Sequence, residues 1–344
     1  METRKVQLSG GTTYTISLPK SWAQEQGIES GSLVSIHPNG DGSLLVDVLS
    51  DPDADERAAV IDISLTDTDA LKQQLSALYT VGYDAVTLRD RNGHSIDRQQ
   101  TVESAIDGLS GFELMEATET RIQLRNLIDA TNINVQKSAI RMRLVVLSMH
   151  TDAITAIADN DTELARRVVT RDSEADKLFA MVTRHFRRSL LDLREVEKLN
   201  HSRERLFEYY YVCRQFERVA DHAVKMARFV DDTEMSIPEA LITRLDNCGE
   251  QARSILERGA DVVLSAGDIE MAHDVLAERD QLVETIDDID RELYNHDQPE
   301  VAYVTGLLLD SIRRTAEYGA NVATIGIQQT LRTDVEAPAQ PPSE

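Results

Sequence analysis

The sequence predicts a multidomain protein with a small β-rich N-terminal domain, a small α/β domain and a C-terminal all-α bundle of six helices. Three observations predict this order. Apolar residues alternate with polar ones near the N-terminus, strand-like and helical segments alternate over residues 58–127, and apolar residues recur at helical spacing over residues 128–333. At 344 residues the chain is long enough to bury several cores.

The N-terminal domain is predicted to span residues 1–48. The stretch "YTISL" alternates apolar and polar residues, as a half-buried strand does. Pro19 fits the first position of a short helix that Gly27 can end. Two further strands, "SLVSIH" and "SLLVDV", flank the hairpin turn "PNGDG". A domain of this size buries little core alone, so we expect it to dimerise.

Residues 58–127 are predicted to form the small α/β domain. The segments in order are strand "AVIDIS", helix "TDALKQQLSALYTVG", strand "AVTLR", helix "TVESAIDGLSG", and strands "ELMEA" and "RIQLR". The sequence of this domain contains neither a glycine-rich phosphate-binding loop nor a nucleophile elbow. It therefore offers no chemistry of its own.

The remaining chain is predicted to be helical over the segments 134–158, 162–190, 203–231, 238–265, 268–294 and 299–331. An internal repeat divides it: "RDSEADKL" at 171–178 matches "RDQLVETI" at 279–286, and "ERVADHAVKMA" at 217–227 matches "RRTAEYGANVA" at 313–323. We therefore expect two three-helix repeats, 128–235 and 236–333. The low-complexity tail 334–344 is predicted to be disordered.

The chain is strongly acidic, with 60 acidic against 36 basic residues and a formal charge of -24. Only seven of the basic residues are lysine, a composition similar to that of proteins from salt-accumulating halophilic archaea. An ordinary acidic protein is the alternative. The overall charge argues against broad non-specific binding to nucleic acid or anionic lipid.

No stretch of the sequence approaches the roughly 20 apolar residues that cross a bilayer, and the N-terminus lacks an apolar signal core. These features predict a cytoplasmic protein without membrane insertion. Cys213 and Cys248 form no C-x-x-C pair, so we expect two reduced, buried thiols.

An enzymatic function is not predicted. A di-iron bundle oxidase needs two Glu-x-x-His motifs, and only Glu270 with His273 fits. His222 is interpreted as a polar helix residue, and no nucleophile–base arrangement is evident from spacing.

Acidic residues four apart suggest another activity, because such pairs share one helix face and repel each other. A hard cation bound between two such pairs would offset the repulsion. At this composition, however, roughly ten such pairs arise by chance, so a solvated acidic face is the alternative. The pairs of interest, which recur in matching repeat positions, are Asp172 with Asp176, Glu217 with Asp221, and Asp280 with Glu284.

The N-terminal stretch "RKVQLSGGTTYTISLPKSWAQEQGIESGSLVSI" resembles the AbrB/SpoVT swapped-hairpin module over about 45 residues. This resemblance implies that two chains interlace their hairpins into one small β-barrel, making a homodimer. It also implies that basic residues near the N-terminus contact promoter DNA, here Arg4, Lys5 and Lys20. The alternative is a dimerisation barrel that does not read DNA.

The helical part resembles PhoU, the phosphate-uptake regulator, through "FERVADHAVKMA" and "ELARRVVTRDSEAD". The resemblance implies a six-helix, two-repeat bundle that holds metal ions (iron, zinc, magnesium or manganese) through acidic E/D-x-x-x-D motifs. It also implies action on the phosphate ABC transporter and its associated regulators. The first site would comprise Asp172, Asp176, Glu217 and Asp221, and the second Asp280, Glu284 and Glu317.

Arg313 stands where the second motif requires a carboxylate, and a guanidinium cannot ligate metal. The second site is therefore expected to be weakened or empty. The whole arrangement resembles archaeal PhoU-domain regulators, which implies a cytoplasmic, dimeric regulator of phosphate homeostasis that binds promoter DNA. The alternative is an adaptor that controls the transporter ATPase by protein contact and does not bind DNA.

Overall fold

The computed structural model describes residues 3–38, 44–48, 56–232 and 237–336. The chain divides into two compact units, Met1–Glu56 and Arg57–Glu344. The predicted α/β domain and the predicted helical bundle thus belong to one unit. Each unit is described by itself below.

The N-terminal unit contains two antiparallel strand pairs and one short helix. These are β1 (Gln7–Ser9) with β2 (Thr13–Thr15), α1 (Lys20–Glu25), and β3 (Val34–Pro38) with β4 (Leu44–Val48). Pro19 is the residue before α1 rather than its first residue, and Gly27 follows the helix at a φ of +66°. Of the predicted turn "PNGDG", residues 39–42 lie outside the described part of the chain.

The second unit begins with a four-stranded sheet and two helices. They are β5 (Ala58–Asp62), α2 (Thr68–Val81), β6 (Ala85–Arg89), α3 (Ile96–Asp107), β7 (Phe112–Ala117) and β8 (Arg121–Asn126). The strand order is β5-β6-β8-β7, with β5 parallel to β6 and the other pairs antiparallel. Apolar residues of β6 and β8 share one core with those of α2 and α3. The predicted elements are confirmed, and α3 begins five residues earlier than predicted.

In the described residues, a 3-10 turn (Ala130–Asn132) and seven α-helices follow: α4 (Val135–Asp159), α5 (Thr162–Leu191), α6 (Leu193–Leu199), α7 (Arg203–Asp232), α8 (Glu239–Leu264), α9 (Ile269–Leu293) and α10 (Pro299–Glu336). The six predicted helices are confirmed, and the short α6 is additional. Asp192 ends α5 and caps α6 by accepting from the Arg194 N–H at 2.9 Å. Helix α10 enters the predicted disordered tail, whose residues 337–344 lie outside the described chain.

The long helices form the two predicted repeats. Helices α4, α5 and α7 pack against one another, as do α8, α9 and α10, and the pairs α4–α8 and α7–α10 join the repeats. The shared core consists mainly of aliphatic residues and alanines, with few aromatics. Gly259 and Gly319 let α8 and α10 approach closely, because a Cβ built on Gly259 would lie 2.4 Å from the Gly319 carbonyl oxygen.

Candidate metal centre and DNA-binding residues

The first acidic cluster lies where α5 packs against α7. Asp172 and Asp176 lie on α5, and Glu217 and Asp221 lie on α7. The i,i+4 spacing places each pair on one face of its helix. The four charges act on one another across the two helices, so the structure brings the predicted first-site residues into one neighbourhood.

The pKa of Asp176 reports how much negative charge is gathered here. Partial burial, followed by the charges of Asp172, Glu217 and Asp221, raises the pKa of Asp176 to about 6. Part of this side chain remains open to solvent, so water and ions can reach it. Burial and the charge of Asp221 also raise the pKa of Asp172, against the opposing Arg228.

Arginines neutralise only part of this cluster. Arg214 donates to the Glu217 Oε2 atom at 2.8 Å. The pKa of Glu217 is nevertheless raised, chiefly by burial and also by the nearby Asp221 carboxylate. Arg214 and Arg218 lower this pKa, but by less than burial and Asp221 raise it. The donor set consists of carboxylate oxygens, which suit hard cations such as Mg²⁺ or Mn²⁺.

The carboxylates are neighbours but do not form a preassembled ligand cage. Within residues 3–38, 44–48, 56–232 and 237–336, no group of three or more His, Cys, Asp or Glu side chains has an arrangement that could hold a metal ion. The carboxylates of the first cluster are ligands that suit a hard cation. Their side chains would have to move to coordinate one.

The second repeat places its acidic residues differently. Asp280 is 69% exposed and lies 2.7 Å from its neighbour Arg279, and Glu284 is also exposed. Glu317 accepts from Arg314 at 2.8 Å. None of these three has the clustered surroundings of the first site.

Arg313 explains part of this difference between the repeats. It forms ion pairs with Asp287 and Asp290 of α9, at 3.5 Å to the Asp290 Oδ2 atom. The positive charge of Arg313 thus lies where α9 and α10 pack. Its partners on α9 are Asp287 and Asp290, which follow Glu284 in the sequence. The weakened second site stays a prediction.

The sequence reasoning missed a buried ion network that fixes α5. The Asp84 carboxylate accepts from Arg184 Nη2 at 2.5 Å and from Arg188 Nη1 at 2.6 Å. Glu195 of α6 accepts from Arg188 Nε at 3.1 Å and forms a buried hydrogen bond with His185. The arginine spacing i,i+4 on α5 was the available signal, but their acidic partner lies 100 residues away in the sequence.

The same arginines bind the C-terminal end of α2. Unpaired carbonyls at a helix C-terminus carry partial negative charge, which cations stabilise. The carbonyls of Tyr79 and Tyr83 accept from Arg184, that of Gly82 accepts from Arg188, and that of Val81 accepts from Arg57. The α/β domain is therefore attached to the helix that carries Asp172 and Asp176.

The predicted DNA-binding residues lie in the N-terminal unit. Arg4 and Lys5 precede β1, Lys20 begins α1, and all three are exposed. No described side chain in this unit is fully buried, and Tyr14 is 76% exposed. The unit thus combines accessible basic residues with uncovered apolar ones.

The two cysteines lie in the buried surroundings that the sequence predicted, and His222 is partly buried. Cys213 and Cys248 are free and buried, and burial raises the pKa of both thiols. Burial lowers the pKa of His222, which favours its neutral form. Among the described residues, no helix is both long enough and apolar enough to span a membrane.

Comparison with known families identifies two domains. Residues 139–230 match the family described as PhoU domain. Residues 7–51 match the family described as antidote-toxin recognition MazE, bacterial antitoxin. No curated protein matches the sequence.

The solved structures that are similar to this chain include two PhoU proteins. PhoU from Pseudomonas aeruginosa is 20% identical and has a TM-score of 0.48, with 58% of this chain and 96% of that chain covered. The phosphate transport system regulatory protein PhoU from Streptococcus pneumoniae is 18% identical and also has a TM-score of 0.48, with 57% and 93% covered.

Proposed function

We propose that this chain, which carries a PhoU domain behind an N-terminal MazE/AbrB-like domain, regulates phosphate homeostasis as a cytoplasmic homodimer. The bundle binds metal ions and engages the phosphate ABC transporter or its regulators, and the N-terminal unit binds promoter DNA. The observation that carries the proposal is the presence of both domains in one chain. These domains are those of a regulator and not of an enzyme, as the sequence predicted.

Dimerisation through the N-terminal unit is supported by its uncovered apolar side chains. A monomer leaves these side chains in water, which is unfavourable for a domain this small. Interlaced hairpins from two chains would cover them. The large exposed apolar residues are Val6, Leu8, Tyr14, Ile16, Leu33, Ile36, Leu44 and Leu45.

Promoter binding is assigned to Arg4, Lys5 and Lys20. Exposed cations close to one another in a dimer can contact DNA phosphates, and the affinity then falls steeply with salt. We expect Lys5→Ala with Lys20→Ala to weaken binding to phosphate-transport promoter fragments in fluorescence anisotropy while the dimer persists. Lys72→Ala, an exposed lysine of α2, is the matched control. Unchanged binding by the double variant contradicts the residue assignment.

Metal binding is assigned to the first acidic cluster. A cation would compensate the charge that raises the Asp176 pKa, and it would draw Glu217 away from Arg214. We expect Glu217→Ala with Asp221→Ala to lower the bound metal in elemental analysis. Glu270→Ala with Asp274→Ala, an acid pair at the same spacing, is the control. Equal metal content in both double variants contradicts the metal assignment and indicates that the cluster is a solvated acidic face.

A second candidate function is an adaptor that controls the transporter negatively by protein contact, with the N-terminal unit serving only to dimerise. The observation that favours it is the charge of residues 1–48, where five acidic residues outnumber three basic ones. Co-purification of the transporter ATPase from cells in which the protein occupies no promoter supports this function and contradicts the first.

A further inference from the structure

The two edges of the four-stranded sheet differ in their protection against pairing with another strand. The outer strands are β5 and β7. Strand β7 has a register irregularity between Leu114 and Glu116 and carries two glutamates, features that discourage edge pairing. Strand β5 reads "AAVID" and has no proline, lysine or bulge, and its one acidic residue, Asp62, is paired with Arg91 at 2.9 Å. Within the described chain it is hydrogen-bonded to β6 alone.

The free backbone groups of β5 can be identified from its bonds to β6. The Ile63 N–H donates to a β6 carbonyl at 2.8 Å, and the Arg57 carbonyl accepts from a β6 N–H at 3.2 Å. Residues of a strand alternate in direction, so the odd-numbered positions face β6. The N–H and C=O groups of Ala58, Val60 and Asp62 therefore point to the open edge.

An apolar groove runs beside this edge. It has a volume of about 580 Å³ and lies between β5 and α2, lined chiefly by Val60, Ile61, Ala77, Leu78 and Val81. The Val60 side chain is 58% exposed. A strand added to β5 gains backbone hydrogen bonds from the edge and apolar contacts from the groove.

We propose that β5 pairs antiparallel with β5 of a second copy of this chain, about a two-fold axis at Val60. This register sets Ala58 opposite Asp62 of the partner subunit and engages all three outward-facing residues. Both copies use the same edge, so the contact closes on itself. The two β7 strands, whose edges disfavour pairing, then lie at the ends of one eight-stranded sheet.

The chain between the two units argues for a second copy as the occupant. Only residues 49–57 separate β4 from β5, a reach of at most about 35 Å when extended. A dimer formed by the N-terminal unit therefore raises the local concentration of the two β5 strands relative to each other. In this respect the inference rests on the proposed N-terminal dimer.

Disulfide cross-linking of the full chain tests the pairing. Opposed residues of an antiparallel pair have Cα atoms about 4.5–5.5 Å apart, within disulfide range. The native cysteines are buried, so wild type serves as the background. The matched control is Met115→Cys on β7, where Met115 is 52% exposed. We expect Val60→Cys to give at least about five-fold more disulfide dimer than Met115→Cys on mild oxidation, at a yield independent of protein concentration.

Equal cross-linking of Val60→Cys and Met115→Cys overturns the pairing. Ala58→Cys combined with Asp62→Cys tests the same register with different sites, and its failure to cross-link has the same meaning. Light scattering on wild type separates the two claims. A dimer in which neither β5 variant cross-links overturns the β5 pairing alone, whereas a monomer overturns the N-terminal dimer and the pairing together.

Discussion

Arg184 on α5 and Asp84, the residue before β6, form a buried ion pair, with 2.5 Å between Nη2 and Oδ1 and only 1% of the Arg184 side chain exposed. This pair joins the α/β domain to the bundle. Asp176 lies eight residues before Arg184 on the same helix, about two turns away. Helix α5 thus connects the acidic cluster physically with the α/β domain.

Removal of the Asp84 carboxylate is expected to destabilise the protein strongly. Asp84→Ala leaves the buried Arg184 without its carboxylate partner and leaves Arg188 with Glu195 alone, which costs about 3–5 kcal/mol. Urea unfolding measures the change. The control Glu163→Ala removes a carboxylate 3.9 Å from Arg167 on the surface and should cost less than about 1 kcal/mol. Similar losses for both variants contradict the role given to Asp84.

The buried Glu195 predicts a dependence of stability on acid pH. Burial raises the pKa of Glu195, but hydrogen bonds and charges from His185 and Arg188 outweigh it and hold the pKa below the usual 4.5. A lowered pKa stabilises the folded state above pH 4.5, and this contribution disappears as the pH falls through the folded pKa. The difference in the free energy of unfolding between wild type and Glu195→Gln should therefore shrink as the pH falls below 4.5. If this difference in the free energy of unfolding grows as the pH falls, the stabilising role given to the Glu195 carboxylate is contradicted.

Asp176 predicts the opposite dependence of stability on pH. Its pKa is raised to about 6, so the ionised carboxylate destabilises the metal-free fold, increasingly as the pH rises from the ordinary 3.8 towards 6. Asp176→Asn should raise the melting temperature of chelator-treated protein at pH 7, with a smaller gain at pH 5, and should weaken metal binding. The exposed Asp280→Asn should change neither quantity. A melting temperature below wild type at pH 7 rules out the assigned repulsion.

The close approach of α8 and α10 predicts opposite effects of two glycine substitutions in α10. A Cβ on Gly319 would lie 2.7 Å from the Leu256 Cα, so Gly319→Ala should cost about 1–3 kcal/mol. At Gly306 the nearest atom is Asp290 Oδ1 at 3.9 Å, so Gly306→Ala should stabilise by up to about 1 kcal/mol. Thermal unfolding measures both, and a stable Gly319→Ala variant contradicts the described packing.

Local patterns were sufficient to predict most elements of the fold. Helical periodicity located the six long helices, and the repeat identified their grouping, because both signals lie within short windows of sequence. The short α6 was missed because Asp192 both ends one helix and caps the next, which the pattern of apolar residues does not reveal.

Contacts between distant residues were the part that sequence could not supply. The acids of the first cluster were predicted from spacing and resemblance, and the structure brings them into one neighbourhood. Nothing in the sequence linked Asp84 to Arg184, since their pairing depends on how α2 docks on α5. Arg313 was recognised as foreign to the motif, but its partners Asp287 and Asp290 required the structure.

The most direct test of the proposed regulator is chromatin immunoprecipitation of the full chain from cells grown in high and in low phosphate. We expect enrichment at phosphate-transport promoters that changes with phosphate and is lost in the Lys5→Ala/Lys20→Ala variant. Absence of enrichment at both phosphate levels, with the protein present and dimeric, would contradict the account and leave the N-terminal unit as a dimerisation device.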